Sequence, residues 1–273
     1  MSTNQSAIDS LNQAIADLKQ KALDAALSAS MRRKLESSLH QAMEELSSLL
    51  AEIDPISTPS SVFDPSNPKV VGRFVSLALV AQPRVPLADV GRFYGSGVYA
   101  IYYNGPFPLY SPIAQTETPI YVGKASPLIT GARSPRDQGE KVSARLGEHR
   151  KNIALATTSL SLADFECRSL IVQSGWEEAA ESYLIHLFHP IWNAESKLVF
   201  GLGKHGDSST TRVNKRSPWD TLHPGRKWAE DILEDQKPVT QIEAELAQHF
   251  ALHPAMATSG AVLQTFLDEL RQI

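Results

Sequence analysis

Apolar side chains recur at alternating spacings of three and four along the first part of the chain: Ile8, Leu11, Ile15, Leu18, Ala22 and Ala25, in frame with Ala29, then Leu39, Met43, Leu46, Leu50 and Ile53. That spacing is a heptad seam and predicts helix. Residues 1–54 contain no Gly or Pro to break it, although Arg32 and Glu36 interrupt the seam. Two readings stay open: one helix of about 70 Å at ~1.5 Å per residue, or a hairpin turning at Ser28–Met31. Either leaves an apolar stripe to cover. The expected cover is another subunit, in a homo-oligomer that is a dimer or tetramer.

The pattern then changes. "DPISTPSSVFDPSNP", from Asp54, is rich in Pro and Ser and reads as a linker over 55–69. "VVGRFVSLALV", residues 70–80, is apolar enough to be a helix or strand on the core. "GSGVYAIYYNG" and "PIYVGKA" are dense in aromatic and β-branched residues and predict strands. "FECRSLIVQ", 165–173, is a third strand candidate. The segments 106–119 and 126–140 between these read as loops. Helical spacing returns over 141–156 and over 175–190, the latter ended by Pro190. A capping box, Thr240 to Glu243, opens a helix, and a last helix follows Ser259. The expected organisation is a helical extension over 1–54, a core over 70–237 and a C-terminal helical pair over 238–273.

Composition narrows the class. With 273 residues, 42% hydrophobic and 21% charged, the chain can bury a sizeable core. The first residues lack a signal-peptide pattern and no apolar run approaches ~18 residues, so no membrane association is expected. The single cysteine, Cys167, rules out an intrachain disulfide and fits a cytoplasmic location. It reads as a buried strand residue. The net charge of -4 looks unfavourable for a nucleic-acid binder, yet residues 197–227 carry 7 basic against 2 acidic side chains. A local basic stretch suits phosphate binding whatever the global sum.

Candidate chemistry sits on the two central helices. Arg145 and His149, at i and i+4, share a face. Arginine offers fixed charge to a phosphate and histidine passes protons near neutral pH. On 175–190, Ala180, Leu184 and Leu187 line the buried face. Glu181 borders it, where a carboxylate needs a cation or a salt-bridge partner. Glu177 and Glu178 are expected to point to water. His186 and His189 form an H-x-x-H pair that fits capping or surface roles better than zinc. "GLGKHG", Gly201 to Gly206, lacks the spacing of a nucleotide-binding loop, and its glycines are expected to let the backbone approach DNA.

Taken in order, "GVY" at Gly97–Tyr99, "YVG" at Tyr121–Gly123, Arg145 and His149 in "RLGEH", Glu181, and Asn193 in "HPIWN" resemble the GIY-YIG nuclease superfamily. Within it, "IYVGKA" and "RSPWDTLHPGRKWA" look most like the type II restriction endonucleases that cut CCGCGG. The core resemblance covers 97–193, and about 70–235 with the basic region. It implies an α/β (α+β) fold with a small central antiparallel sheet of about three strands flanked by helices, carrying helical N- and C-terminal extensions. It implies double-stranded DNA as substrate, one Mg²⁺ held by Glu181, and no small-molecule cofactor. The catalytic set would be Tyr99, Tyr121, Arg145, His149, Glu181 and Asn193, with Asn193 fixing a phosphate or a metal-held water. The candidate DNA contacts are Lys124, Lys204, His205, Arg212, Asn214, Lys215, Arg216, His223 and Arg226. Two other readings remain: a structure-specific repair or recombination nuclease, and a silent DNA-binding scaffold.

Overall fold

The structure is a computed structural model that describes residues 3–24, 28–53, 56, 59, 62–203 and 215–271. It divides into two compact units, Met1–Val62 and Phe63–Ile273.

The first unit holds two helices, α1 (Thr3–Asp24) and α2 (Ala29–Ile53). Of the two readings of the seam, the broken one holds. Ser28 is non-helical and its hydroxyl accepts from the Met31 amide, so a new helix starts there. Ser30 and Met31 are already in α2 rather than in a turn, and Ala25 lies outside the described residues. Ile15, Leu18 and Ala22 of α1 share a groove with Leu35 and Leu39 of α2. Much of the seam remains uncovered, with Leu50 and Ile53 each 68% exposed.

The second unit opens with α3 (Pro68–Val80), whose Asn67 side chain caps the Lys69 amide. The expected linker therefore ends at Asn67, and the apolar run at 70–80 is helix. A four-stranded antiparallel sheet follows in the order β1-β4-β2-β3. Its strands are β1 (Val85–Pro86), β2 (Gly97–Tyr103), β3 (Tyr121–Ala125) and β4 (Phe165–Ile171). The expected three strands are β2, β3 and β4; β1 adds a two-residue edge opposite Glu166 and Cys167. Helices α4 (Pro135–Gln138), α5 (Lys141–Leu155) and α6 (Glu177–Phe188) connect and flank the sheet. The one-turn α4, capped by Ser134, lies in a segment expected to be loop.

Strand alternation splits the core into two layers. Tyr99, Ile101, Tyr103, Phe165 and Cys167 pack on one face with Val142, Leu146 and Ile153 of α5. Val98, Ala100, Tyr102 and Val122 pack on the other with Leu79 of α3 and Ala180 and Leu184 of α6. Tyr102 and Tyr103 lie on opposite faces, and both are buried. The Tyr102 ring lies against the guanidiniums of Arg84 and Arg168, and the Tyr103 hydroxyl accepts from the Phe107 amide.

Beyond the sheet come α7 (Pro218–Leu222), α8 (Lys227–Glu230), α9 (Val239–Leu252) and α10 (Ser259–Leu270). Strand β5 (Lys215–Arg216) pairs in parallel with β6 (Glu234–Asp235). Ile242 and Leu246 of α9 join the first layer, and Val262 and Phe266 of α10 the second. The capping box at Thr240 does not form. Pro238 takes the N-cap position with extended backbone, so Thr240 is already inside the helix.

Candidate active site

Two β2–β3 cross-strand pairs place the tyrosines. Tyr99 stands opposite Gly123, and Tyr121 opposite Ile101. Both rings therefore rise on the α5 side of the sheet, their centroids 6.2 Å apart. The two signature glycines serve close approaches. A Cβ at Gly97 would lie 2.0 Å from the Leu170 carbonyl oxygen, and one at Gly123 would lie 2.5 Å from the Tyr99 hydroxyl.

Helix α5 brings Arg145 and His149 over these rings. The Tyr99 hydroxyl is 2.8 Å from His149 Nε2, and the His149 ring centroid is 4.8 Å from that of Tyr121. Arg145 pairs with Glu148 at 2.6 Å, and its charge acts on the Tyr99 phenol. Burial drives the Tyr99 pKa well above the ordinary phenol value. The neighbouring Tyr121 adds to that rise and Arg145 opposes it. The Tyr121 pKa is raised for the same first reason, with Arg145 again opposing. Neither is a phenolate at neutral pH.

Glu181 and Asn193 approach from the open edge of the sheet. β3 is the outermost strand, so its outward-facing peptide groups need partners. The Val122 peptide is held on both sides by Asn193: its N–H donates to Oδ1 at 2.9 Å and its carbonyl accepts from Nδ2 at 2.9 Å. The Lys124 N–H donates to Glu181 Oε1 at 3.0 Å. The Lys124 ammonium is 3.3 Å from Glu181 Oε2 and 3.3 Å from Glu178 Oε1. Burial raises the Glu181 pKa and Lys124 offsets part of the rise. Asn193, expected to fix a phosphate or a metal-held water, is buried, and each end of its amide bonds Val122.

The structure thus gathers five sequence-predicted residues, Tyr99, Tyr121, Arg145, His149 and Glu181, around one end of the β2–β3 pair. Asn193 and Lys124 brace them. The predicted DNA contacts fare differently. Lys204, His205, Arg212 and Asn214 lie outside the described residues. Lys215 pairs with Glu234 at 3.3 Å, and Arg216 makes two bonds to Asp235 at 2.7 and 3.2 Å.

His223 and Arg226 are corrections, because both are buried. The His223 ring lies between the Tyr110 hydroxyl at 2.5 Å and Ser159 Oγ at 2.9 Å. Tyr110 accepts from Trp192 Nε1, so its own proton goes to His223 Nε2 and Nδ1–H faces Ser159. Burial, helped by the Arg226 charge, pulls the His223 pKa down to about 3. Arg226 pairs with buried Asp220 at 2.7 Å and donates to the Gly201 and Leu202 carbonyls. A charge spent this way inside the protein does not face a duplex.

Other expectations resolve simply. Glu177 is buried rather than solvated, and accepts from the Gly175 amide at 2.7 Å. His189 caps α6 in the left-handed region, φ 46°, and packs on His253 with centroids 3.9 Å apart. Cys167 is buried, and that burial pushes its thiol up to about 12. Among the described residues no three His, Cys, Asp or Glu side chains are grouped as ligands for a metal ion. No described helix is long and apolar enough to cross a membrane.

Two residues escaped the sequence reading. Asn152 stands seven after Arg145 on the same helix face and donates to the Leu202 carbonyl at 3.1 Å. Glu195 is near enough to Tyr121 and Glu181 to raise both pKa values. The i+7 spacing was a signal for Asn152, and proximity to Asn193 the only one for Glu195.

A small antiparallel sheet, two tyrosines opposite the α5 Arg–His pair, and a glutamate at the sheet edge together define a GIY-YIG nuclease domain. The family model of the Eco29kI GIY-YIG domain matches residues 91–250, and the chain belongs to that family. No curated protein matches it in sequence.

Proposed function

We propose that this protein is a type II restriction endonuclease. It would hydrolyse double-stranded DNA at a GC-rich palindrome, with CCGCGG the expected site, and require one Mg²⁺. The observation that carries the reading is the 2.8 Å contact between the Tyr99 hydroxyl and His149 Nε2, with the Arg145 charge acting on the same phenol. It stands within a domain matched by the Eco29kI family model.

The chemistry follows from that contact. A phenol held well above its ordinary pKa is a poor base by itself. Donating its proton to His149 Nε2 frees the Tyr99 oxygen to take one from the attacking water, so the pair acts as a relay. Tyr121, close to both rings, positions the phosphate or the water. Arg145 offers fixed charge to the extra negative charge of the pentacovalent transition state. Asn193 acts indirectly: by holding the Val122 peptide it fixes the strand that carries Tyr121 and Lys124.

The donor set fits a divalent ion. Glu181 is a partly buried carboxylate whose Oε2 already attracts an ammonium, and a lone carboxylate suits Mg²⁺, which keeps most of its waters. When bound, the ion would neutralise charge on the scissile phosphate and on the leaving 3′-oxygen. The products would carry a 5′-phosphate and a 3′-hydroxyl.

A palindrome is read by a two-fold assembly, and the exposed seam of α1 and α2 is the proposed contact between copies. Phosphate and base contacts would come from Lys124, Lys215, Arg216, Lys204, His205, Arg212 and Asn214.

Unmethylated plasmid bearing one CCGCGG site should be converted to a single full-length linear product with Mg²⁺ and stay circular with EDTA. Tight DNA binding without cutting would favour the scaffold reading. Nicking at flaps in place of the palindrome would favour the repair nuclease.

A further inference from the structure

The Glu181 carboxylate is held by one residue at both oxygens. Lys124 gives its backbone N–H to Oε1 at 3.0 Å and its ammonium to Oε2 at 3.3 Å. These two contacts differ in kind. The backbone bond belongs to the edge of β3 and survives any change of side chain. The ammonium sits on a flexible stem, and its second partner is already in place: Glu178 Oε1, also at 3.3 Å. Glu178 lies three residues before Glu181 on α6, so the two carboxylates are neighbours on one helix surface. They differ in setting, since the Glu178 side chain is 79% exposed and that of Glu181 20%.

A cation entering at Glu181 meets a carboxylate whose Oε2 is taken. Two positive charges cannot share one oxygen in a partly buried setting without a large Coulomb cost. One must leave, and only the ammonium has somewhere adjacent to go. We propose that Lys124 is an exchangeable counter-ion of Glu181. It holds the carboxylate aimed while no metal is present, and passes to Glu178 when a divalent cation takes Oε2. Glu178 is then a positioning residue that receives the displaced charge. This inference rests on the assignment of Glu181 as the metal ligand.

The consequence is a threshold. Metal affinity is set below what Glu181 alone would give, because each binding event must move an ammonium. The backbone N–H keeps Oε1 oriented throughout, so the site is held ready rather than rebuilt.

The test is titration of Ca²⁺ into the full-length, DNA-free protein at pH 8, followed calorimetrically. Lys124→Met retains the backbone N–H and the stem and removes only the ammonium. It should bind Ca²⁺ about tenfold more tightly than wild type. Glu178→Gln removes the receiving charge and should bind several-fold more weakly. Opposite signs from two exposed or half-exposed positions are not what loss of structure produces, and thermal melts of both variants check the fold directly. Equal or weaker binding by Lys124→Met overturns the proposal. So does unchanged or tighter binding by Glu178→Gln. The underlying assignment fails separately: Glu181→Gln binding Ca²⁺ as wild type does would remove the metal from Glu181, and wild type binding none would overturn both.

Discussion

The Tyr99 hydroxyl occupies the space where a side chain on residue 123 would begin. The two residues are direct cross-strand partners, and a Cβ at Gly123 would stand 2.5 Å from that oxygen. The glycine of the second signature is thus the socket for the tyrosine of the first. Gly123→Ala should fold, because the close contacts are with the rings of Tyr99 and Tyr121 and not with backbone, but the Tyr99 phenol must leave its place beside His149. Cleavage should fall by about 10²-fold, the scale on which a misplacement of ~1 Å acts. Plasmid digestion alongside circular dichroism checks this, and a fully active Gly123→Ala protein would show that the Tyr99 position does not matter.

If Tyr99 and His149 work as one relay, removing either disables it. Tyr99→Phe and His149→Ala should each lower the cleavage rate by roughly 10²- to 10⁴-fold. The double variant should be little worse than the worse single one, since groups acting as a unit are not additive. Additive losses in single-turnover kinetics would mean two independent roles.

Glu181→Ala should abolish cleavage and leave DNA binding by gel shift nearly intact. Asn193→Ala should behave otherwise. It strips both partners from the buried Val122 peptide, at a cost of about 1–3 kcal/mol per unsatisfied group. The melting temperature should drop while the folded fraction keeps measurable activity. An Asn193→Ala protein with wild-type stability and no activity would restore the phosphate-contact role.

Stability should decline on the acid side because of His223. Its folded pKa lies near 3, against an ordinary value of 6.5, so the unfolded chain binds the proton more readily. The stabilisation is fully present above the unfolded pKa and is lost as pH falls from there toward the folded pKa. The slope from this group approaches about 1.4 kcal/mol per pH unit. Urea denaturation at pH 7.5 and pH 5 measures it. His223→Gln should be less stable at pH 7.5 yet lose less between the two pH values.

Removing residues 1–62, the first compact unit, should lower the number of chains per particle measured by light scattering. An unchanged number of chains per particle would make the seam of α1 and α2 internal to one chain.

How much of this was legible depended on how local the cause was. Strands β2, β3 and β4 and helices α5 and α6 carry their own periodicity, so their existence and type could be read. Helix α4 is a single turn and carries none. The Thr240 box failed because the preceding Pro238 set the cap first. The tyrosines, Arg145, His149 and Glu181 were singled out by their order along the chain. Their mutual geometry was not, since it depends on the β2–β3 register and on which strand is outermost. His223 and Arg226 were misread for a related reason. A basic stretch looks like surface, but Tyr110 lies 113 residues before His223, and only folding shows that partner. Asp220, six residues before Arg226, was near in sequence, yet nothing in the sequence showed that the pair would be buried.

The outer flank of β3 has a further meaning. An edge strand with open donors and acceptors is a template on which another chain can add a strand. Here the Val122 peptide and the Lys124 N–H are covered by Asn193 and Glu181. These two side chains therefore also guard the edge against self-association. Replacing Glu181 or Asn193 by alanine uncovers part of that template, so a loss of solubility is the expected outcome of either change, whatever it does to cleavage.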